Sequence, residues 1–217
     1  MGFKDKLKNS FESVSDKLQT MSSSLTKVIK SAKDSSKSHE KLSEDKKEEA
    51  TALKILMEES SEKFKEISKP FNEIFANIEA KRLEMTQELN AQFVQPLEGL
   101  VQDWLALQDV IKEEEKAQKN HLKAKNSLEK KHQKFEKTPE KMKPGEIDNA
   151  ATEVANCFDQ LKIKQEEKEK VSAEYEKKKS TILSQALSDS IKIQGKFHQN
   201  VVDDLVDANE ILETLNS

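Results

Sequence analysis

Residues 85–111 read MTQELNAQFVQPLEGLVQDWLALQDVI. Met85, Leu89, Phe93, Leu97, Leu100, Trp104, Leu107 and Ile111 recur in it at intervals of four and three. At about 100° per residue, that spacing gathers them on one side of an α-helix. The pattern extends outward in both directions. Downstream it thins to Ala117, His121, Ala124, Leu128 and Phe135. Upstream, Phe3, Leu7, Phe11, Val14, Leu18, Met21, Leu25, Val28 and Ala32 repeat in the same way. Towards the end, Ala151, Val154, Phe158 and Leu161 give way to a polar middle. Ile182, Ala186, Ile193, Phe197, Val201, Leu205, Ala208, Leu212 and Leu215 then follow.

Composition agrees with the periodicity. Four glycines, four prolines and 5% aromatic residues in 217 residues leave too few turns and too little strand filler for a sheet-rich fold. A hydrophobic fraction of 34% against 36% charged is lean for a thick globular core but enough for narrow seams between long helices. The regular apolar spacing argues against disorder. The single cysteine, Cys157, excludes an internal disulfide and gives no sign of an oxidising compartment. No apolar run approaches the roughly 20 residues needed to cross a bilayer, and Met1 to Lys6 show no signal-peptide pattern. A cytoplasmic protein with at most peripheral membrane association is expected.

Proline and glycine set the expected boundaries. Ser68-Lys69-Pro70 reads as a helix start, with Ser68 as cap and Pro70 in the first turn. Thr138-Pro139 through Lys143-Pro144-Gly145 reads as a second break. Helices are therefore expected over roughly 3–67, 70–137 and 146–215, with a tip loop at 138–145, in a single domain covering 1–217. A helix of about 68 residues is on the order of 100 Å long, so such helices must lie along one another. The expected class is all-α: an elongated antiparallel three-helix coiled coil. Antiparallel packing brings the apolar-rich stretches 85–111 and 182–215 to the same end, where two protomers are expected to join. Phe93, Leu97, Leu100, Trp104, Phe197, Val201 and Leu205 are the expected dimer core. Pro96, inside the second helix, is expected to bend it.

The charges are uneven under a net charge of −4. With Ala117 placed at 0°, Lys112, Lys116, Lys119, Lys123, Lys130, Lys134 and Lys137 fall between about 200° and 260°, whereas the thin apolar seam lies within about 40° of zero. Ordinary solvated helices interleave opposite charges at four-residue spacing; here the signs are separated. Such a stripe suits a surface of diffuse negative charge, such as anionic lipid headgroups. A solvated face without a ligand is the plain alternative. Nucleic acid is disfavoured by a single arginine, Arg82, and by the lack of aromatics among the lysines. Residues 1–19 are a candidate amphipathic helix. Its apolar Phe3, Leu7 and Phe11 face Lys4, Lys6, Lys8 and Lys17, a pattern compatible with membrane insertion and equally with packing in the bundle. Lys6 stands where an N-myristoylation motif wants serine or threonine.

Phe93-Val-Gln-Pro-Leu-Glu-Gly-Leu-Val-Gln-Asp-Trp104, the lysine-rich helix after it, and Gly195 through Leu212 resemble BAR domains. Pro96-Leu97 and Phe197-His198 match pairs common in that family, and the resemblance spans residues 11–215. It implies a crescent-shaped antiparallel homodimer with a six-helix central bundle that senses or generates membrane curvature. It also implies anionic-lipid contact by basic side chains on the concave face and tips. By position these are the seven lysines above, together with Lys141 and Lys143. The resemblance covers plain, F-BAR-like and inverse types alike.

No catalytic role is expected, because a helical rod offers no pocket of convergent polar groups. His39, His121, His132 and His198 are far apart, and the single Glu129-x-x-His132 pair is too little for a di-metal bundle. No metal, cofactor or small-molecule substrate is expected. Asp203, Asp204, Asp207 and Glu210 read as a solvated face. The leading expectation is a homodimeric membrane-curvature protein; the alternative is a structural coiled-coil scaffold or tether acting through protein–protein contacts.

Overall fold

The computed structural model describes the backbone of residues 3–216 and the side chains of residues 23–215. It consists of α1 (Phe3–Glu58), α2 (Glu62–Leu89), α3 (Gln95–Lys137) and α4 (Glu146–Glu213). One π-helical turn, Asn90–Val94, joins α2 to α3 without a break, so there are three long helical stretches. No strand occurs among the described residues.

The first break corrects the boundary expected at Ser68-Pro70. The chain leaves the helix at Ser60-Ser61, and Pro70 lies inside α2. Ser60 Oγ donates to the Leu56 carbonyl at 2.7 Å, occupying an acceptor left open at a helix end. Ser61 then stands at the start of α2 with extended backbone (φ −68°, ψ 161°), followed by Glu62, whose charge suits a helix N-terminus. Pro70 is tolerated because the carbonyl that loses its N–H partner belongs to Glu66, an exposed residue, so the lost hydrogen bond lies on the solvent side of the helix. Ser68 does not cap anything; it is buried, with its hydroxyl lacking a hydrogen-bond partner.

Pro96 is absorbed by the widened turn before it. The Gln95 N–H bonds the Asn90 carbonyl five residues back, and a turn of that kind accommodates a proline without ending the helix. At the other connection, Gly145 adopts φ +79°, a left-handed conformation that only glycine enters at little cost. α4 starts at the next residue.

The chain divides into two compact units: residues 1–101 with 181–217, and residues 102–180. The first is built from α1, α2, the start of α3 and the end of α4. Its core includes Leu25, Ile29, Met57, Ile67, Ile78, Val94, Leu97 and Leu100. A cluster of Met85, Ile193 and Phe197 is flanked by Leu89 and Val201. The second unit is a helical hairpin of α3 and α4. Asp103 pairs with Lys178, Glu114 with Lys168, and His121 with Phe158. These partners run in opposite directions along the two segments, so the segments are antiparallel. Leu107, Ala124, Ala150, Leu161 and Tyr175 are buried in this unit.

Candidate functional site

The second unit holds all nine lysines singled out from the sequence. Within it, the buried side of α3 carries Leu107, Glu114 and Ala124. On the 100° wheel these fall between about 340° and 80°, diametrically opposite the lysine arc. The apolar seam therefore fixes the direction of the charge. Burying one face against α4 leaves Lys112, Lys116, Lys119, Lys123, Lys130, Lys134 and Lys137 on the other, all of them exposed. Lys141 and Lys143, in the connection between α3 and α4, are exposed as well.

Pairing separates the two helices more sharply than exposure does. Among the described residues, only Lys112 of these nine has an ion-pair partner, Asp109 at 2.9 Å. On α4 the lysines are largely neutralised. Lys164 pairs with Glu167 at 2.7 Å, Lys168 with Glu114 at 3.4 Å, Lys178 with Asp103 at 3.2 Å, and Lys179 with Glu176. Lys162 lies 4.6 Å from the centroid of the Phe158 ring. The hydrogen bond that Lys164 Nζ donates to the Glu167 carboxylate raises the Lys164 pKa above its ordinary value, with smaller contributions from the Glu167 and Glu113 charges. Most of the unit's lysines without an ion-pair partner among the described residues thus lie on α3 and the connection.

Several polar residues have structural places that local spacing did not reveal. Glu114 is 1% exposed, a seam residue; its wheel angle of about 60°, next to His121, was the available signal. Asp204 is a correction to the solvated acidic face: it is buried and accepts from Lys81 Nζ at 2.7 Å and from Asn77 Nδ2 at 3.2 Å. Buried Glu79 accepts from Arg82 Nε at 2.9 Å, and the guanidinium lies 5.4 Å from the Phe197 ring centroid. His39 sits near Arg82 and His198; burial lowers its pKa from the ordinary 6.5, and those two neighbours add to the effect. Tyr175 is pushed up to about 12, first by burial and then by Glu176 and Asp103. His121 is half-buried against Phe158, at 5.3 Å between ring centroids. Among the described residues, no three His, Cys, Asp or Glu side chains converge as metal ligands. No described helix is long and apolar enough to cross a membrane.

The residues expected at a dimer core take different positions. Leu97, Leu100 and Phe197 are buried within the chain's own first unit. Phe93, Trp104 and Val201 are half-buried, and Leu205 is exposed. Leu187, Ile191, Val202, Val206 and Leu212 on α4 are also exposed, Ile191 at 73%. The side chains of Phe3, Leu7 and Phe11 lie outside those the structure describes.

No protein-family model and no curated protein matches the sequence. Among solved structures, the chain is similar to the N-terminal I-BAR domain (1-259) of D. discoideum IBARa. The TM-score is 0.54 at 18% sequence identity, over 88% of this chain and 81% of that one. The fold is BAR-like.

Proposed function

We propose that this protein is a peripheral membrane module that binds anionic bilayers through the α3 lysine face and acts on membrane curvature as a homodimer. One observation carries the reading: eight of the nine lysines singled out on α3 and the connection are exposed and, among the described residues, without an ion-pair partner, whereas most lysines of the facing α4 segment are paired with carboxylates. A charged face that a protein keeps unneutralised against its own acids is suited to attract an external polyanion. Each lysine near an anionic leaflet contributes up to ~1 kcal/mol. Even heavily discounted for geometry, that sum supports binding that weakens as salt shortens the Debye length. The BAR-like fold favours a bilayer over a soluble polyanion.

Pairing is supported by the apolar arc on α4. Leu187, Ile191, Val202, Leu205 and Leu212 fall within about 80° of one another on the helical wheel, and all five are exposed. A strip of that extent is characteristic of an interaction surface.

Co-sedimentation with phosphatidylserine vesicles tests the proposal. The chain is expected to pellet with anionic but not with neutral vesicles, and to be released by added salt. Replacing Lys123, Lys130 and Lys134 by glutamate is expected to abolish pelleting while leaving the helical circular dichroism intact. Binding that ignores both salt and these substitutions would refute the lysine face. Vesicles left untouched while other proteins are captured would favour a scaffold instead.

A further inference from the structure

The connection between α3 and α4 carries a feature that lipid binding alone does not use. Of the four prolines, Pro70 and Pro144 follow lysines, Pro96 follows a glutamine, and Pro139 follows Thr138. Thr138 is therefore the one hydroxyl residue in the sequence that precedes a proline. A proline ring disfavours helical backbone at the residue before it. Thr138 has left the helical region, at φ −148° and ψ 68°, immediately after the last residue of α3. Its Oγ1 donates to the Lys134 carbonyl at 3.2 Å in an exposed hydrogen bond. A part-exposed threonine outside any helix, with proline next and Lys141 three residues on, offers a proline-directed kinase what helical serines do not. Its N–H bonds the Lys134 carbonyl at 2.8 Å and its carbonyl accepts from the Lys141 N–H at 3.1 Å, so only these two turn contacts have to open for the segment to enter an extended substrate groove, where Lys141 supplies a cation to meet an acidic one.

The surroundings give that hydroxyl consequence. Between residues 130 and 143 stand Lys130, Lys131, Lys134, Lys137, Lys141 and Lys143 against Glu136 and Glu140. None of the six lysines has an ion-pair partner among the described residues. A phosphate carrying about two negative charges near neutral pH would halve the net charge of this segment. It would also sit beyond the C-terminus of α3, the negative end of the helix dipole, and displace the hydroxyl from the Lys134 carbonyl.

We infer that Thr138 is a phosphorylation site for a proline-directed serine/threonine kinase, and that its modification switches off the lysine face as a membrane ligand. The switch rests on the membrane reading above. In the transfer, Thr138 Oγ1 attacks the γ-phosphorus of a nucleoside triphosphate. The bond from that phosphorus to the β,γ-bridging oxygen breaks, the nucleoside diphosphate leaves with the electron pair, and the hydroxyl proton passes to the kinase's base.

The test uses the full chain, a proline-directed kinase with ATP, and vesicles of phosphatidylcholine with phosphatidylserine. Mass spectrometry is expected to place one phosphate on Thr138, none on Thr138→Ala, and one again on Thr138→Ser. The phosphorylated chain is expected to bind anionic vesicles on the order of tenfold more weakly than the unmodified chain, the weight of about two lysines after discounting for geometry, with unchanged helical circular dichroism. No incorporation at Thr138, equal binding of both forms, or loss of helix on modification would each overturn the inference. If the unmodified chain fails to pellet, the membrane reading itself falls and takes the switch with it, whereas incorporation is read without any vesicle.

Discussion

Glu114 and Lys168 show how a helical hairpin with little apolar surface sets its register. The carboxylate is buried while the ammonium side of the pair is about a third exposed. Removing the cation strands a buried charge, whereas removing both charges leaves an apolar seam. Lys168→Met is expected to lower stability by about 2 kcal/mol, reduced from the fully buried case because Lys168 is partly solvated. The double variant with Glu114→Leu is expected to recover most of that loss. Urea unfolding of the single and double variants measures both; equal losses would show that the pair does not act as a unit. In the first unit, His39 gives a pH dependence of definite sign. Burial, with Arg82 and His198 nearby, holds its folded pKa below the ordinary 6.5, so the folded state takes up a proton less readily than the unfolded chain. Its contribution is fully present above the unfolded value and is lost as pH falls through the folded one. Melting temperature is therefore expected to fall as pH drops below the ordinary imidazole value of 6.5, and the fall should be shallower in His39→Gln. A parallel pair of curves would remove His39 as the cause.

At the level of elements, the sequence and the structure part where punctuation is weak. α3 is regular from Gln95 to Lys137, so a wheel drawn from residue numbers alone put its lysines on the correct side of the seam. The α1–α2 break was misplaced because proline is the stronger local signal, yet Pro70 loses only a hydrogen bond at the exposed Glu66. The true break, Glu58-Glu59-Ser60-Ser61-Glu62, contains neither proline nor glycine. It works through serine's competition for backbone groups and an acidic first turn, each a small effect. Which lysines remain free was not legible either. Glu114 and Asp103 neutralise Lys168 and Lys178 from 54 and 75 residues away in sequence, and no local spacing records that. Asp204 was read as solvated for the same reason: its partner, Lys81, lies 123 residues before it.

For the whole molecule, the proposed pairing would combine two separate contributions, the apolar arc of α4 and the lysine face of α3. Leu97, Leu100 and Phe197 are already buried in the first unit, so the proposed pairing would have to use the exposed arc through Ile191, Val202 and Leu205. Charge placed there attacks pairing without disturbing the core, because those side chains touch little of their own chain. Ile191→Glu with Leu205→Glu is expected to halve the mass seen by sedimentation equilibrium while preserving helical content. On the proposed reading, two lysine faces joined in one particle would bind a vesicle by effective concentration, so losing one would weaken attachment far more than twofold without altering any lipid contact. The double variant is accordingly expected to pellet with phosphatidylserine vesicles much less than the parent, and crosslinking the copies through an added coiled-coil zipper is expected to restore binding. Full binding by a protein shown to be single would mean that one lysine face suffices and that pairing serves something other than attachment.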